Sequence, residues 1–213
     1  MSPMQEDNDP LHMSEQRTEE GTLVERVYIA VDVNNLWHSC RDIYGFDYRV
    51  NYRTLLDKIV RNAHPKLPRQ ANAVAYTITA PRRHVDHTGS VREEPSSNNR
   101  FLESLTKFGY TVKTRHMRYE KSLDKAFHTD WDVGIAVDVL GTLNTFDTLV
   151  LVSGDGDYIP LIEALYNVHK RVEVYTFEKT TSQQLFSSVE DVIFLNDTDC
   201  YRQETKSNKS VKR

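Results

Sequence analysis

The chain has only 2 cysteines among its 213 residues, Cys40 and Cys200. Thiols this few and this far apart in sequence suggest neither a disulfide framework nor a zinc site. Cys40 falls in the helix-like stretch 36–43 and reads as a small core residue, the usual place of a free cysteine. Long apolar runs are missing too. None approaches the ~20 residues that a membrane span requires. The polar stretch 1–20 also lacks the apolar segment that an export signal carries. No membrane partner is expected, and the expected location is the cytoplasm. Basic residues are not in excess. The 27 Lys and Arg face 31 Asp and Glu, a net charge of −4, whereas nucleic-acid-binding domains are often basic. The acidic N-terminal stretch contributes to that balance, so local clusters say more than the total. His84, His87, His116 and His128 are not spaced like zinc ligands. Internal repeats and low-complexity core segments are absent.

A hydrophobic content of 38% over this length is enough for one domain with a full core. Residues 1–22 are expected as a disordered tail, 23–199 as the domain and 200–213 as a polar, basic tail. Strands are expected at 27–31, 73–79, 148–152 and 172–177, with a short last one at 192–195. Helices are expected at 35–44, 52–62, 98–108, 130–141 and 159–170, with a short one at 182–189. In the second helix Leu55, Leu56, Ile59 and Val60 recur at helical spacing. The stretch 111–117 mixes apolar and polar residues and reads as an edge strand, and 81–97 as a long polar loop. Alternating helices and near-continuous apolar strands predict a doubly wound α/β fold. Its sheet would be mostly parallel, with helices on both faces. Right-handed crossovers then bring the strand-to-helix turns to one edge.

One of those turns is unusual. The apolar run Asp147-Thr-Leu-Val-Leu-Val152 leads into Ser153-Gly154-Asp155-Gly156-Asp157 and then into a helical stretch. A buried strand thus delivers two carboxylates to the carboxyl edge, where open parallel sheets bind ligands. Asp suits plain turn and N-cap positions as well. Two acids on one tight turn nevertheless repel each other unless something positive lies between them, and a divalent cation with hard oxygen ligands answers that need. Val27-Tyr-Ile-Ala-Val31 ends in the same way, in Asp32-Val33-Asn34-Asn35 ahead of a helix. A third acid, Asp132, stands in Thr129-Asp-Trp-Asp-Val-Gly-Ile-Ala-Val-Asp138. With Thr129 or Asp130 as the cap, Asp132 falls in the first helical turn, where the helix dipole favours a negative charge. Asp138 lies on a different face of that helix and reads as structural.

Together the three segments resemble the NYN family, the LabA-like branch of the PIN-like nucleases. The resemblance rests on Asp32 with Asn35, on Trp131 to Asp138, and on Ser153-Gly-Asp-Gly-Asp-Tyr-Ile-Pro-Leu-Ile162. It runs from about Arg26 to Asn196. It implies a PIN-like fold and RNA cleavage dependent on Mg²⁺ or Mn²⁺. The implied carboxylate cluster is Asp32, Asp132, Asp155 and Asp157, with Asn35 as a polar helper. One departure bears on catalytic rate more than on fold. Family members commonly place Lys-Gly before the central helix acid, and this chain has Thr129-Asp130 there. Lys125 and His128 lie just upstream as substitutes.

Phosphodiester hydrolysis requires an activated water and stabilised charge on the phosphate oxygens, and a carboxylate-held metal ion supplies both. Because Mg²⁺ takes only one or two direct carboxylates, Asp32 and Asp155 are the expected ligands. Asp132 and Asp157 would complete the metal site or orient the attacking water. Asn35 either bonds a carboxylate, a water or substrate, or caps its helix. Ser153 either donates to phosphate or turns the chain. For RNA, Arg82, Arg83, Arg115, Arg118 and Lys125 are the expected contacts. Lys113, His116 and Tyr119 among them give cations for phosphates and an aromatic for base stacking. An ordinary solvated face is the alternative. The expected function is a metal-dependent ribonuclease acting on RNA, with a homodimer left open. The alternative is a catalytically weak or inactive NYN domain serving as an RNA-binding or adaptor module. A phosphoryl-transfer or receiver-like domain would need a Lys after a late strand, and Lys179 is the nearest candidate.

Overall fold

The computed structural model describes residues 16–17, 23–62, 67–79, 82–85, 91–94, 99–116, 118–120, 125–127 and 130–203. Most of the expected tails, together with His87, Lys121, His128 and Thr129, lie outside the described residues. The elements are β1 (Gln16–Arg17), β2 (Leu23–Asp32), α1 (Val33–Tyr44), β3 (Tyr48–Val50), α2 (Tyr52–Arg61), β4 (Arg69–Thr79), β5 (Arg82–Val85), β6 (Val91–Glu94), α3 (Asn99–Lys107), β7 (Thr111–His116), β8 (Arg118–Glu120), β9 (Lys125–Phe127), α4 (Asp132–Gly141), β10 (Thr148–Val152), α5 (Ile159–Asn167), β11 (Arg171–Thr176), α6 (Gln183–Ser188), β12 (Asp191–Phe194) and β13 (Cys200–Arg202).

The main sheet runs β12-β11-β10-β2-β4-β7, and each of these neighbouring pairs is parallel. The chain therefore builds outward from β2 in two directions, as a doubly wound sheet must. Strand residues alternate between two cores. Val27, Ile29, Val31, Val150 and Val152 pack with Leu36, Leu55, Ile59 and Leu105 from α1, α2 and α3. Tyr28, Ala30, Leu149 and Leu151 pack with Ile135, Val139, Ile162, Leu165 and Leu185 from α4, α5 and α6. Burial on both faces is why these strands are apolar at nearly every position. Among the described residues, no helix is long and apolar enough to cross a membrane.

Three features differ from expectation. The polar loop carries a hairpin, β5 with β6, and a second hairpin joins β8 to β9. Strand β13 pairs antiparallel with β3, so described structure continues past Asp199, where a tail was expected to begin. Finally, α4 starts at Asp132 with Trp131 as its N-cap, and no side chain caps it. The Trp131 indole instead donates to the Thr77 carbonyl at 2.9 Å and packs edge-on against Tyr76. Anchoring that large, half-buried ring sets the start of the helix, where a polar cap from Thr129 or Asp130 was expected.

The sheet's opposite edge holds a buried ion network. Arg69, its side chain fully shielded, donates to Glu25 at 2.9 Å, to Glu173 and to the Ile59 carbonyl at 2.9 Å. Removing one partner of a buried pair leaves an uncompensated charge. Arg69→Ala is expected to lower the free energy of unfolding by about 3–5 kcal/mol, read by urea denaturation. A loss under about 1 kcal/mol, the value of an exposed pair, would refute the clamp.

Candidate active site

Pairing registers set the height of each acid at the carboxyl edge. Val31 lies opposite Val152, and Val152 opposite Tyr175, so the residues that follow, Asp32 and Ser153, leave the sheet side by side. Asp32 is the N-cap of α1 and only 7% exposed, and its Oδ1 accepts from the Asn35 amide at 3.0 Å. The Asn35 side chain then accepts from the Gly154 amide at 2.9 Å, which ties the first strand end to the acidic turn. Asn34 points elsewhere and accepts from the Ile78 amide at 3.0 Å, joining α1 to β4.

The acidic turn is held tightly. Asp155 caps the short helical turn Gly156–Tyr158, its Oδ1 accepting from the Asp157 amide at 3.0 Å. Its two glycines are there for space. A Cβ on Gly154 would come within 2.7 Å of Thr176 Oγ1, and one on Gly156 within 2.7 Å of Ser182 Oγ. Ser153 is fully buried, and its hydroxyl accepts from the Asp155 amide at 3.2 Å. Of the two roles expected for Ser153, its bonding here is that of a turn former.

Asp132, Asp155 and Asp157 converge, each offering a carboxylate oxygen within 4.8 Å of the others. Asp32 stands behind this trio. The Tyr158 hydroxyl spans the gap, 3.1 Å from Asp32 Oδ2 and 3.0 Å from Asp132 Oδ1. A phenol has one proton to donate, so it satisfies only one carboxylate at a time. The other contact requires a second proton or a cation. Burial pushes the Asp132 carboxyl up to about 6, with the charges of Asp130, Asp32 and Asp155 adding to the rise. Burial raises Asp32 as well. Tyr158 itself is pushed well above the usual phenol range, first by burial and then by the two carboxylates. It stays a neutral donor. An all-oxygen donor set of three acids fits a hard divalent cation such as Mg²⁺ or Mn²⁺. Asp132, Asp155 and Asp157 are the residues that would hold it.

Other expected residues are dispersed. Asp138 accepts from the Tyr76 hydroxyl at 2.9 Å and pairs with Lys113. Arg115 lies over the Trp131 ring, 4.1 Å from its centroid, and donates to the Asp130 carbonyl at 2.8 Å. That puts a guanidinium beside the two residues that precede Asp132. Arg82, Arg83, Arg118 and Lys125 lie in the two small hairpins, and their side chains are outside the described residues. Tyr158 is the residue that sequence reasoning passed over. Its one signal was its place directly after Asp157 in the acidic motif.

The model of the NYN domain matches residues 26–196. The chain belongs to the NYN domain family. NYN domains are a PIN-like nuclease family, and the Asp cluster lies within the matched span. Among curated proteins, the chain is 27% identical over 118 residues to the Low amplitude and bright protein LabA of Synechococcus elongatus. That alignment takes in 54% of this chain and 63% of the relative, so the chain spans less than two thirds of that protein. Among solved structures, a protein of unknown function from Vibrio parahaemolyticus superposes with a TM-score of 0.61 at 25% identity. The match covers 82% of this chain and 94% of the Vibrio chain.

The raised Asp132 carboxyl gives a signed pH dependence. The folded protein holds this proton more tightly than the unfolded chain. Its contribution to stability is therefore complete below the ordinary value of 3.8 and is lost as pH rises through about 6. Metal-free protein is expected to lose thermal stability over that interval, and Asp132→Asn to lose less of it. Because metal and proton compete for the carboxylate, Mn²⁺ affinity should fall about tenfold per pH unit once the pH drops below about 6. Calorimetric titration across the interval checks both, and a pH-independent affinity would remove Asp132 from the metal site.

Proposed function

We propose that this NYN domain is a ribonuclease that hydrolyses RNA phosphodiester bonds with Mg²⁺ or Mn²⁺ held by its acidic edge. The observation that carries the reading is the convergence of Asp132, Asp155 and Asp157 within 4.8 Å at the carboxyl end of a parallel sheet. When bound, the cation supplies a Lewis acid that polarises the phosphoryl group and acidifies water. The chain's own residues then divide the remaining work. Asp155 and Asp157, on their braced turn, hold the cation from one side and Asp132 from the other. Asp32 has both oxygens engaged, by the Asn35 amide and the Tyr158 hydroxyl, so it acts through Tyr158 in fixing how Asp132 faces the site. Asn35 keeps the acidic turn in register with the first strand end. Arg115 offers a guanidinium to a substrate phosphate, with Arg82, Arg83, Arg118 and Lys125 extending the landing surface. The cytoplasm, the expected location, is part of this proposal.

A second reading is an RNA-binding or adaptor module with little or no cleavage. It is favoured by Asp130, which stands where relatives commonly carry glycine after lysine and whose charge adds to the burden on Asp132.

Purified protein is expected to cleave RNA in Mn²⁺ or Mg²⁺ and to stop on chelation. Asp155→Asn should reduce the rate by about 100-fold or more, on the scale of losing a positioned catalytic group, and Asp32→Asn should reduce it by less, through the orientation of Asp132. RNA binding should survive both changes, since each removes one negative charge. Tight binding by wild type with no metal-dependent cleavage would replace the nuclease reading with the adaptor one.

The basic surface has its own test. Joint replacement of Arg82, Arg83, Arg115 and Arg118 by Ala should flatten the slope of log affinity against log salt by about 0.7 for each phosphate no longer neutralised. An unchanged slope places the RNA elsewhere.

A further inference from the structure

The two cysteines lie 160 positions apart in sequence, yet their Sγ atoms are 3.4 Å apart in the fold. Both are free thiols. Cys40 sits on the buried face of α1, 1% exposed, while Cys200 opens β13 and is half-buried. Neither belongs to the acidic edge. The contact is braced on the Cys200 side. Cys200 lies opposite Val50 in the β13–β3 ladder. Asp199, just before it, binds Lys58 at 2.8 Å and accepts from the Asn196 amide at 2.9 Å. Its carbonyl accepts from the Asn51 amide at 2.8 Å. A disulfide needs its sulfurs about 2.05 Å apart, so roughly 1.4 Å of approach separates this contact from a bond.

We propose that Cys40 and Cys200 form a peroxide-responsive dithiol that closes reversibly into an intramolecular disulfide, fastening the last strand to helix α1. The pairing was not legible from sequence, where two such distant thiols suggested no disulfide framework. The hydrogen bond between the two thiols, helped by Arg49, holds the Cys40 thiol below its ordinary range, whereas the same bond pushes Cys200 up. Cys40 therefore gives up its proton the more readily on attack, which suits it to the second, bond-closing step.

Access assigns the order of events. The half-exposed Cys200 thiol gives an electron pair to one peroxide oxygen, the O–O bond breaks, the thiol proton passes to the departing oxygen, and one water leaves with a sulfenic acid on Cys200. The Cys40 sulfur then attacks Cys200, the S–O bond breaks, and the leaving hydroxide takes up the Cys40 proton as a second water. Two thiols and one peroxide become one disulfide and two waters. Sulfur is oxidised and peroxide oxygen reduced. A thiol reductant reverses the bond by exchange.

The test uses the full chain treated with hydrogen peroxide, quenched, and alkylated under denaturing conditions. The titre should fall from 2 thiols per chain to none, with the protein still monomeric on a non-reducing gel. Protease digestion should yield one linked pair of peptides carrying Cys40 and Cys200, which disappears on adding dithiothreitol. Oxidised protein should melt at a higher temperature than reduced protein, because the cross-link restricts the unfolded chain. Cys200→Ser should give no linked pair and no peroxide-induced rise in melting temperature. Two thiols still titratable after peroxide, only intermolecular dimers, or a sulfinic acid at Cys200 with Cys40 still free would each overturn the proposal. The wild-type peptide map decides even if Cys200→Ser fails to fold.

Discussion

A buried arginine determines where every central strand begins, and through that where every acid ends. Parallel strands have no tight hairpin to set their register, and a slip of one residue turns each side chain to the opposite face. Arg69 of β4 lies directly opposite Glu25 of β2 and bonds to it. It also reaches Glu173 of β11. Glu25 in turn accepts from the Thr148 hydroxyl of β10 at 2.6 Å and from Arg171 at 3.2 Å. Four neighbouring strands are thus locked at their amino ends by charges that burial would penalise in any other alignment. With the amino ends fixed, Asp32 and Ser153 must leave the opposite edge at the same level.

At that opposite edge the electrostatics are unfavourable, and the fold supplies the support. Asp132, Asp155 and Asp157 would separate if their backbones could move. They are held by short-range bonds that a slack loop lacks: Asn35 to Gly154, Asp155 to the Asp157 amide, and the Ser182 amide to the Gly154 carbonyl at 2.9 Å. Glycine at 154 and 156 lets Thr176 and Ser182 press against the turn from below. The bridging Tyr158 hydroxyl relieves part of the repulsion, and as pH falls through about 6 a proton on Asp132 relieves more. A site organised in this way gives up some stability for a charge arrangement suited to an incoming divalent ion.

Much of the fold was readable because burial on both faces leaves a strong mark. The strands at 27–31, 148–152 and 172–177 had to be apolar almost throughout, and they are. The acidic turn was readable for the opposite reason, since a buried strand rarely ends in two carboxylates without purpose. What escaped were features made by distance in sequence. Strands β3 and β13 have 3 residues each, too short for a period to show. The contact between Cys40 and Cys200 depends on that pairing. Tyr158 looks like one more aromatic until its hydroxyl is seen between Asp32 and Asp132. The start of α4 was misplaced because capping rules favour a small polar residue, while here a half-buried, hydrogen-bonded indole outweighs them.

The same indole bears on the missing lysine before Asp132. A lysine there would be a flexible point charge. This chain instead stacks the Arg115 guanidinium on Trp131 and ties it to the Asp130 carbonyl. Arginine held by an aromatic face loses less freedom on meeting a phosphate, and its planar fork matches phosphate oxygens. Its charge also lies beside Asp130, the added acid, which would otherwise deepen the negative potential around Asp132. The net charge of −4 is therefore a poor guide to this edge. What a polyanion would meet there is a fixed cation at the start of α4, next to acids bridged by the Tyr158 hydroxyl. In the nuclease reading, that local arrangement carries the role that the family pattern gives to lysine.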